Sequence, residues 1–572
     1  MRAAGPVGST RRNTPPGARD PDGDRPADAA RMTAGGAAPR QLLTDPPTWT
    51  RVLPFLAAVV ATVALVVVRP TLGDLQAAIA REEAARSGVG LGYWFGWYGG
   101  VSPGSYSLIV PALSALLGSL ALLVIATLVI ALLAHPIAHL RPGATSMPSA
   151  ARPTATTWAI AIAAILNMMS GRVAFSVGAA IALVAVLAFG HGRSLLAAVV
   201  LVVSGLASPL APAFVGLAAV AFLLGPDRRS RELWTLLVGA GLGVLVPFAL
   251  FGAPGAQGFP WTTLFWVLII GAGSGVALTA RPHRSIAPIA MVVAAVVFAV
   301  PNGVGSNLSR FFCLVLPCLV LFFSRRSLVI VLVALLPAVS YAGFVAVADQ
   351  VAVADSGNSE SDYAPLRLAL LQRPGLVNHR VELIDAGTHA GSHELGSLVK
   401  LARGWENQSD ARFNPIFYTD GALTPLSYRQ WLTENAVSWV AVSDKPLRQA
   451  EKEAALVRRG LPYLSETWRG DEWTLYRVAN AASVVPAPLG LVTETPSEMV
   501  VDVPDTGTHP IQIRPNRYLV ARSVDDPTRT ACLASTPDEW VTIRAPEPGQ
   551  YTLQGALSVR GVLAELSPTC TS

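Results

Sequence analysis

The chain has 572 residues, of which 52% are hydrophobic and only 14% charged, where soluble domains carry about a quarter charged. That composition excludes an ordinary cytosolic enzyme. A formal charge of +6 comes from 43 basic and 37 acidic residues, but the basic ones sit in short breaks between apolar runs, so no cationic face for nucleic acid forms.

Residues 1–50 are Arg, Pro, Gly, Ala and Asp with almost no large apolar side chain, so nothing there offsets the entropy of ordering the backbone. A disordered cytoplasmic tail is expected. No signal-peptide pattern opens it; the first long apolar run begins near Val52 and is long enough to remain in a bilayer. Across residues 51–347, apolar stretches lie near 52–69, 107–134, 156–169, 173–190, 194–208, 211–225, 233–251, 261–280, 285–301, 308–324 and 327–347. In hydrocarbon such stretches must be helices, because only intrahelical bonding satisfies every backbone group. The reading is about eleven spans of roughly 20 residues, with tilted or half-spanning helices admitted over 156–225. Ser208-Pro209 and Pro212 mark a turn there.

Arginine placement tests the parity, since short cytoplasmic loops collect positive charge. With the tail inside, Arg141 and Arg152, Arg193, Arg228, Arg229 and Arg231, Arg281 and Arg284, and Arg325 and Arg326 all fall on the inner side. Arg172 and Arg310 are the exceptions, at the outer face. An odd number of spans places everything after Val347 outside the plasma membrane.

Residues 348–480 mix strand-like alternation (Val381-Glu382-Leu383-Ile384, and Val437 to Val442) with helix-like stretches such as Leu447 to Gly460, the pattern of an α/β unit. Residues 481–572 hold short β-prone runs near 499–503, 511–513, 518–521 and 540–543 separated by Pro, Gly and Asp, the pattern of a β-sandwich-like module. The expected fold is thus a polytopic α-helical membrane protein with a C-terminal extracytoplasmic α/β unit followed by a β module. Cys313 and Cys318 lie in one apolar span without sharing a helix face and are expected to pack. Cys532 and Cys570 lie outside, where an oxidising medium permits a disulfide.

The first external loop, residues 70–106, opens with Leu72-Gly73-Asp74-Leu75 and ends in Tyr93-Trp94-Phe95-Gly96-Trp97-Tyr98. Between them, Leu75 and Ile79 share one helical face and Glu82 and Glu83 another, as in a helix lying on a membrane surface. A long first external loop with an Asp just after the first span, many further spans and a C-terminal external domain resembles the GT-C class of membrane glycosyltransferases. The resemblance implies an acidic general base at the position of Asp74 and a polyprenyl-phosphate-linked sugar donor; the commoner Asp-Glu pair of the class reads Asp74-Leu75 here. A second resemblance runs over residues 375–445, through His379-Arg380-Val381-Glu382, Arg403-Gly404-Trp405-Glu406, Asn414-Pro415 and Tyr428-Arg429-Gln430-Trp431. It is to large actinobacterial membrane proteins grouped with the same class.

Sugar transfer from a phosphate donor needs a carboxylate to take the acceptor proton and cationic groups to stabilise the departing phosphate. Asp74 is the candidate for the first. Arg172 and Arg310, with Asn307 and also Asn302 and Ser306, are candidates for the second, because ionised groups at membrane depth tend to be functional. Trp94, Trp97 and Tyr98 are candidates to stack on sugar or lipid. Each has a plainer alternative: Asp74 as a helix N-cap, the arginines snorkelling to headgroups, the aromatics as an interfacial belt. Trp405, Asp410 and Tyr418 either line a glycan groove or pack. His389, His393 and Glu394 lack the His-Glu-x-x-His spacing of a zinc site, and no pattern names a cofactor or a metal. The expected activity is transfer of a sugar to an envelope glycan or lipid on the outer side. A secondary transporter or flippase, marked by repeated halves with interrupted helices, and a non-catalytic envelope-assembly protein share the same architecture.

Overall fold

A computed structural model describes residues 48–140, 150–354, 359–385, 390–396, 398–447 and 450–563; the expected tail, His389 and Cys570 lie outside these apart from Thr48–Thr50. The apolar runs fold as α1 (Thr48–Val68), α3 (Val110–Leu117), α4 (Ser119–Ala138), α5 (Pro153–Met169), α6 (Val173–Gly190), α7 (Ser194–Ala207), α8 (Leu210–Val220), α9 (Arg231–Phe251), α10 (Trp261–Ala277), α11 (Ile286–Ala299), α12 (Leu316–Phe323) and α13 (Leu328–Ala354). The loop after α1 carries α2 (Gly73–Arg86). Among the described residues, six helical segments are long and apolar enough to cross a membrane: α1, α4, α6, α9, Gly305–Phe323 and α13 as far as Val351. Five further apolar helices are shorter. The chain is a multi-pass membrane protein.

The run at 107–134 proves to be two helices, because Gly118 takes φ +88° between α3 and α4. Elsewhere small residues set the spacing. A Cβ on Gly205 would lie 1.9 Å from the Gly243 carbonyl, and one on Gly239 would lie 2.4 Å from Ala198 Cα, so α7 and α9 pack backbone to backbone as membrane helices do where side chains are small. Ser208 closes α7 and Pro209 leads into α8, the turn expected there.

After α14 (Glu360–Leu371), strands β1 (Arg380–Ile384), β2 (Lys400–Leu401), β3 (Val437–Ser443), β4 (Leu464–Arg469) and β5 (Trp473–Val478) form one sheet in the order β2-β1-β3-β5-β4. β1 runs parallel to β2 and β3, and β5 antiparallel to β3 and β4. Every residue of β3 is buried, as for a strand covered on both faces. One face meets α14 and the aromatic end of the first loop. The other meets the helices at Pro425–Glu434 and Glu451–Arg458. Seven further strands, β6 (Gly490–Glu494), β7 (Glu498–Val503), β8 (Thr508–Ile511), β9 (Leu519–Ser523), β10 (Thr530–Ser535), β11 (Val541–Arg544) and β12 (Gly549–Gly555), pair in the order β6-β7-β12-β9-β10-β11-β8. Strand β10 changes partner along its length, Thr530 and Ala531 pairing with β9 and Cys532 to Ser535 with β11. The ladder thereby folds around a core that includes Met499, Val501, Ile511, Val541 and Leu553. Cys532 is disulfide-bonded, while Cys313 and Cys318 are free thiols.

Candidate functional site

Asp74 lies in the first turn of α2, whose N-cap position belongs to Leu72. It is therefore not the cap. Its carboxylate instead accepts a hydrogen bond from Arg172 Nε at 2.9 Å. The contact spans 98 positions in sequence and depends on the turn between α5 and α6. There Gly171 takes φ +74°, and a Cβ on it would meet the Leu75 amide nitrogen at 2.7 Å and Leu72 Cβ at 2.9 Å. Only glycine fits that approach, which sets Arg172 against the start of α2.

Arg172 and Arg310 line one cavity of about 210 Å³ together with Asn307, Ser306, Ser170 and Asn167. Arg310 Nη2 donates to Asn307 Oδ1 at 2.7 Å, and the Arg310 guanidinium stands 5.4 Å from the centre of the Phe175 ring. Immediately after Arg310 the helix opens into a π-turn, Phe311–Val315, an irregularity frequent at functional sites. Asn302 is placed differently. It donates to the carbonyls of Val297 and Val300 and accepts from the amides of Val304 and Gly305, so it shapes the loop that presents Ser306 and Asn307.

Sequence reasoning missed three members of this site. Asn167 lines the cavity and donates to Ser176 Oγ at 2.6 Å. Ser170 lines the cavity, and the charge of Asp349 acts with those of Arg172, Asp74 and Arg310. Asp349 is the only charged residue in Leu328–Ala354, and an ionisable group in so apolar a helix is a functional signal that the boundary drawn at residue 347 cut off. The polar break between the stretches 156–169 and 173–190 was the corresponding signal for Ser170, and for Asn167 it was a lone amide inside the apolar stretch 156–169.

Asn167 and Leu314 also border a second cavity of about 270 Å³, lined by aliphatic and aromatic side chains including Ile160, Leu183, Phe175 and Phe214. A charged chamber and an apolar one thus share two wall residues.

The aromatic cluster is elsewhere. Trp94, Trp97 and Tyr98 are buried, with Trp97 wholly excluded from solvent, and they belong to the core under the five-stranded sheet. Trp97 bridges to Leu401 and stacks beside Trp94 at 4.5 Å between centroids. The Tyr98 hydroxyl donates to the Gly404 carbonyl at 2.6 Å. Neither an interfacial belt nor an open sugar platform is formed, because the loop folds back against the five-stranded sheet. Helix α2 differs from expectation for the same reason. It is largely buried, and Glu82, read as facing water, accepts from the Ser119 amide at 2.6 Å and caps α4.

Arg81, also buried, stands 3.9 Å from Glu406 and packs against the rings of Trp97 and Tyr106. His393 lies 2.9 Å from Glu83 and 3.3 Å from Glu394. Burial opposes its charge, but hydrogen bonds to Glu394 and Glu83 outweigh that and hold its pKa up at about 9. Asp410 accepts from Arg403 Nη2 at 2.6 Å and from the Tyr418 hydroxyl at 2.5 Å. Both sit at a smaller polar cavity of about 80 Å³.

No family model matches the chain, and no curated protein matches it. The chain is similar to several solved structures. The cryo-EM structure of arabinofuranosyltransferase AftD from Mycobacteria is 11% identical, with 92% of this chain and 58% of that chain covered and a TM-score of 0.40. A mutant of AftD matches in its class 2 structure at 12% identity, covering 91% and 60%, TM-score 0.40, and in its class 1 structure at 14%, covering 83% and 42%, TM-score 0.41. The chain therefore spans less than two thirds of the length of the structures it matches.

Proposed function

We propose that the protein is a membrane glycosyltransferase that moves a sugar from a polyprenyl-phosphate donor to an envelope glycan or lipid on the extracytoplasmic side. The observation that carries this reading is the pair of adjoining cavities. The charged chamber fits an anionic phosphate and the apolar one a hydrocarbon chain, and together they suit an amphiphile that is both. Arg172, Arg310 and Asn307 bind the phosphate, and the prenyl chain passes Leu314 toward Phe175 and Phe214.

Asp74 is the general base. In the free protein its carboxylate is hydrogen-bonded to Arg172, which occupies an oxygen that has to take the proton. A donor phosphate gives Arg172 a competing anion and so releases Asp74 when the site is loaded. Asp74 then takes the proton of the acceptor hydroxyl as its oxygen bonds to the anomeric carbon. The bond from that carbon to the phosphate oxygen breaks, and the two guanidinium groups stabilise the charge that leaves with the prenyl phosphate. Trp94, Trp97 and Tyr98 have no part in substrate contact.

The test is transfer from lipid-linked sugars by the purified chain in proteoliposomes. Asp74→Asn is expected to insert normally and lose about a hundredfold to ten-thousandfold in rate, and Arg310→Ala to lose donor-dependent transfer. Full activity in both variants would refute the mechanism.

A further inference from the structure

Between α7 and the first half of α9 lies a groove of about 590 Å³. Its apolar walls are Val199, Val202, Val238 and Leu242, and Arg229, Arg231 and Trp234 stand at its mouth. Val199, Val238 and Leu242 are each at least 45% exposed to the outside. Helices α7 and α9 run in the same direction, as the contacts of Gly239 with Ala198 and of Gly205 with Gly243 require. Their N-termini therefore lie at the same end. Each helix contributes the positive pole of its dipole there, α7 following Arg193 and α9 following Ser230.

Arg193, Arg229 and Arg231 form no salt bridge among the described residues. Glu232 is the acidic group described in the first turn of α9, and its carboxylate is taken up by the Ser230 hydroxyl at 2.6 Å. The Trp234 indole donates to the Arg228 carbonyl at 3.0 Å, the half-wet position that Trp occupies at a bilayer surface. Cations exposed at the mouth of an apolar furrow complement a molecule with an anionic head and an acyl chain.

We infer that this groove is a binding site for an anionic phospholipid, its headgroup phosphate on Arg229 and Arg231 and one acyl chain along Val199, Val202 and Val238. The site is independent of the proposed transfer reaction and stands or falls separately.

The test is quenching of Trp234 fluorescence by lipids brominated on the acyl chain, in bilayers holding the full chain, with Trp234→Phe subtracted to isolate that residue. Brominated phosphatidylglycerol is expected to quench Trp234 more effectively than brominated phosphatidylcholine at equal mole fraction, by roughly fivefold for each arginine engaged. The double variant Arg229→Gln, Arg231→Gln is expected to bring the two lipids level, and added inorganic phosphate to leave the preference intact. Equal quenching by both lipids in the unmodified chain would overturn the inference, as would a preference that survives the double variant or that free phosphate abolishes.

Discussion

Gly171 decides whether Arg172 meets Asp74. At φ +74° with a backbone nitrogen 2.7 Å from any added Cβ, Gly171→Ala forces the turn away from α2 at a cost on the order of 1–3 kcal/mol. The expected result is loss of transfer activity together with a lowered thermal midpoint, read in the same preparation. Arg172→Lys separates charge from geometry. It keeps the cation but loses the planar fork, so the expected outcome is roughly a tenfold rise in the donor KM, from the energy of a hydrogen bond to a charged group. At this scale the sequence was informative about which residues matter and silent about their partners. Arg172 and Arg310 stood out because ionised groups are costly at membrane depth, Asn307 because it lies in the break just before Arg310, and Asp74 because it matches the acidic residue of the class the sequence resembles. Their convergence depends on a glycine contact and a π-turn, neither of which has a local pattern.

The element that most departs from its sequence pattern is α2. Its Leu75–Ile79 stripe reads as an interfacial helix, but the partners that bury its other face, Glu406, His393 and the Ser119 amide, come from distant parts of the chain. A pattern within fourteen residues cannot report them. The consequence is mechanical: one end of α2 carries Asp74 and the other is fixed to the α/β unit through Glu406 and His393. Trp97→Ala is expected to destabilise that junction by about 3–5 kcal/mol, measured by denaturation, through lost packing and not through lost substrate contact.

The His393 link gives a pH dependence of definite sign. Its folded pKa, about 9, lies above the ordinary value of about 6.5, so its contribution is complete below that lower value and lost as pH rises through about 9. Protease sensitivity of the outer part is expected to increase over that window, and His393→Gln to remove the pH dependence. Strands fared better than α2 in the sequence reading. β1, β3, β7 and β11 fall where alternation placed them, since both faces of a strand are declared by neighbouring residues.

Over the whole molecule, runs of apolar residues were enough to mark a multi-pass membrane protein, because hydrocarbon leaves helices as the only open-ended solution. The cavities were not visible in them. A wall such as that shared by Asn167 and Leu314 brings together helices that are remote in sequence, and an apolar residue facing a cavity looks the same in a sequence as one facing lipid. The proposed chemistry requires the two cavities to act as one site for one amphiphile. The most direct measurement is a cryo-EM structure of the chain with a non-hydrolysable polyprenyl phosphonate sugar analogue. The expected density has its phosphonate between Arg172 and Arg310, its sugar at Asp74 and its chain passing Leu314 into the cavity beside Phe175 and Phe214. Analogue density elsewhere, with the charged cavity empty, would contradict it.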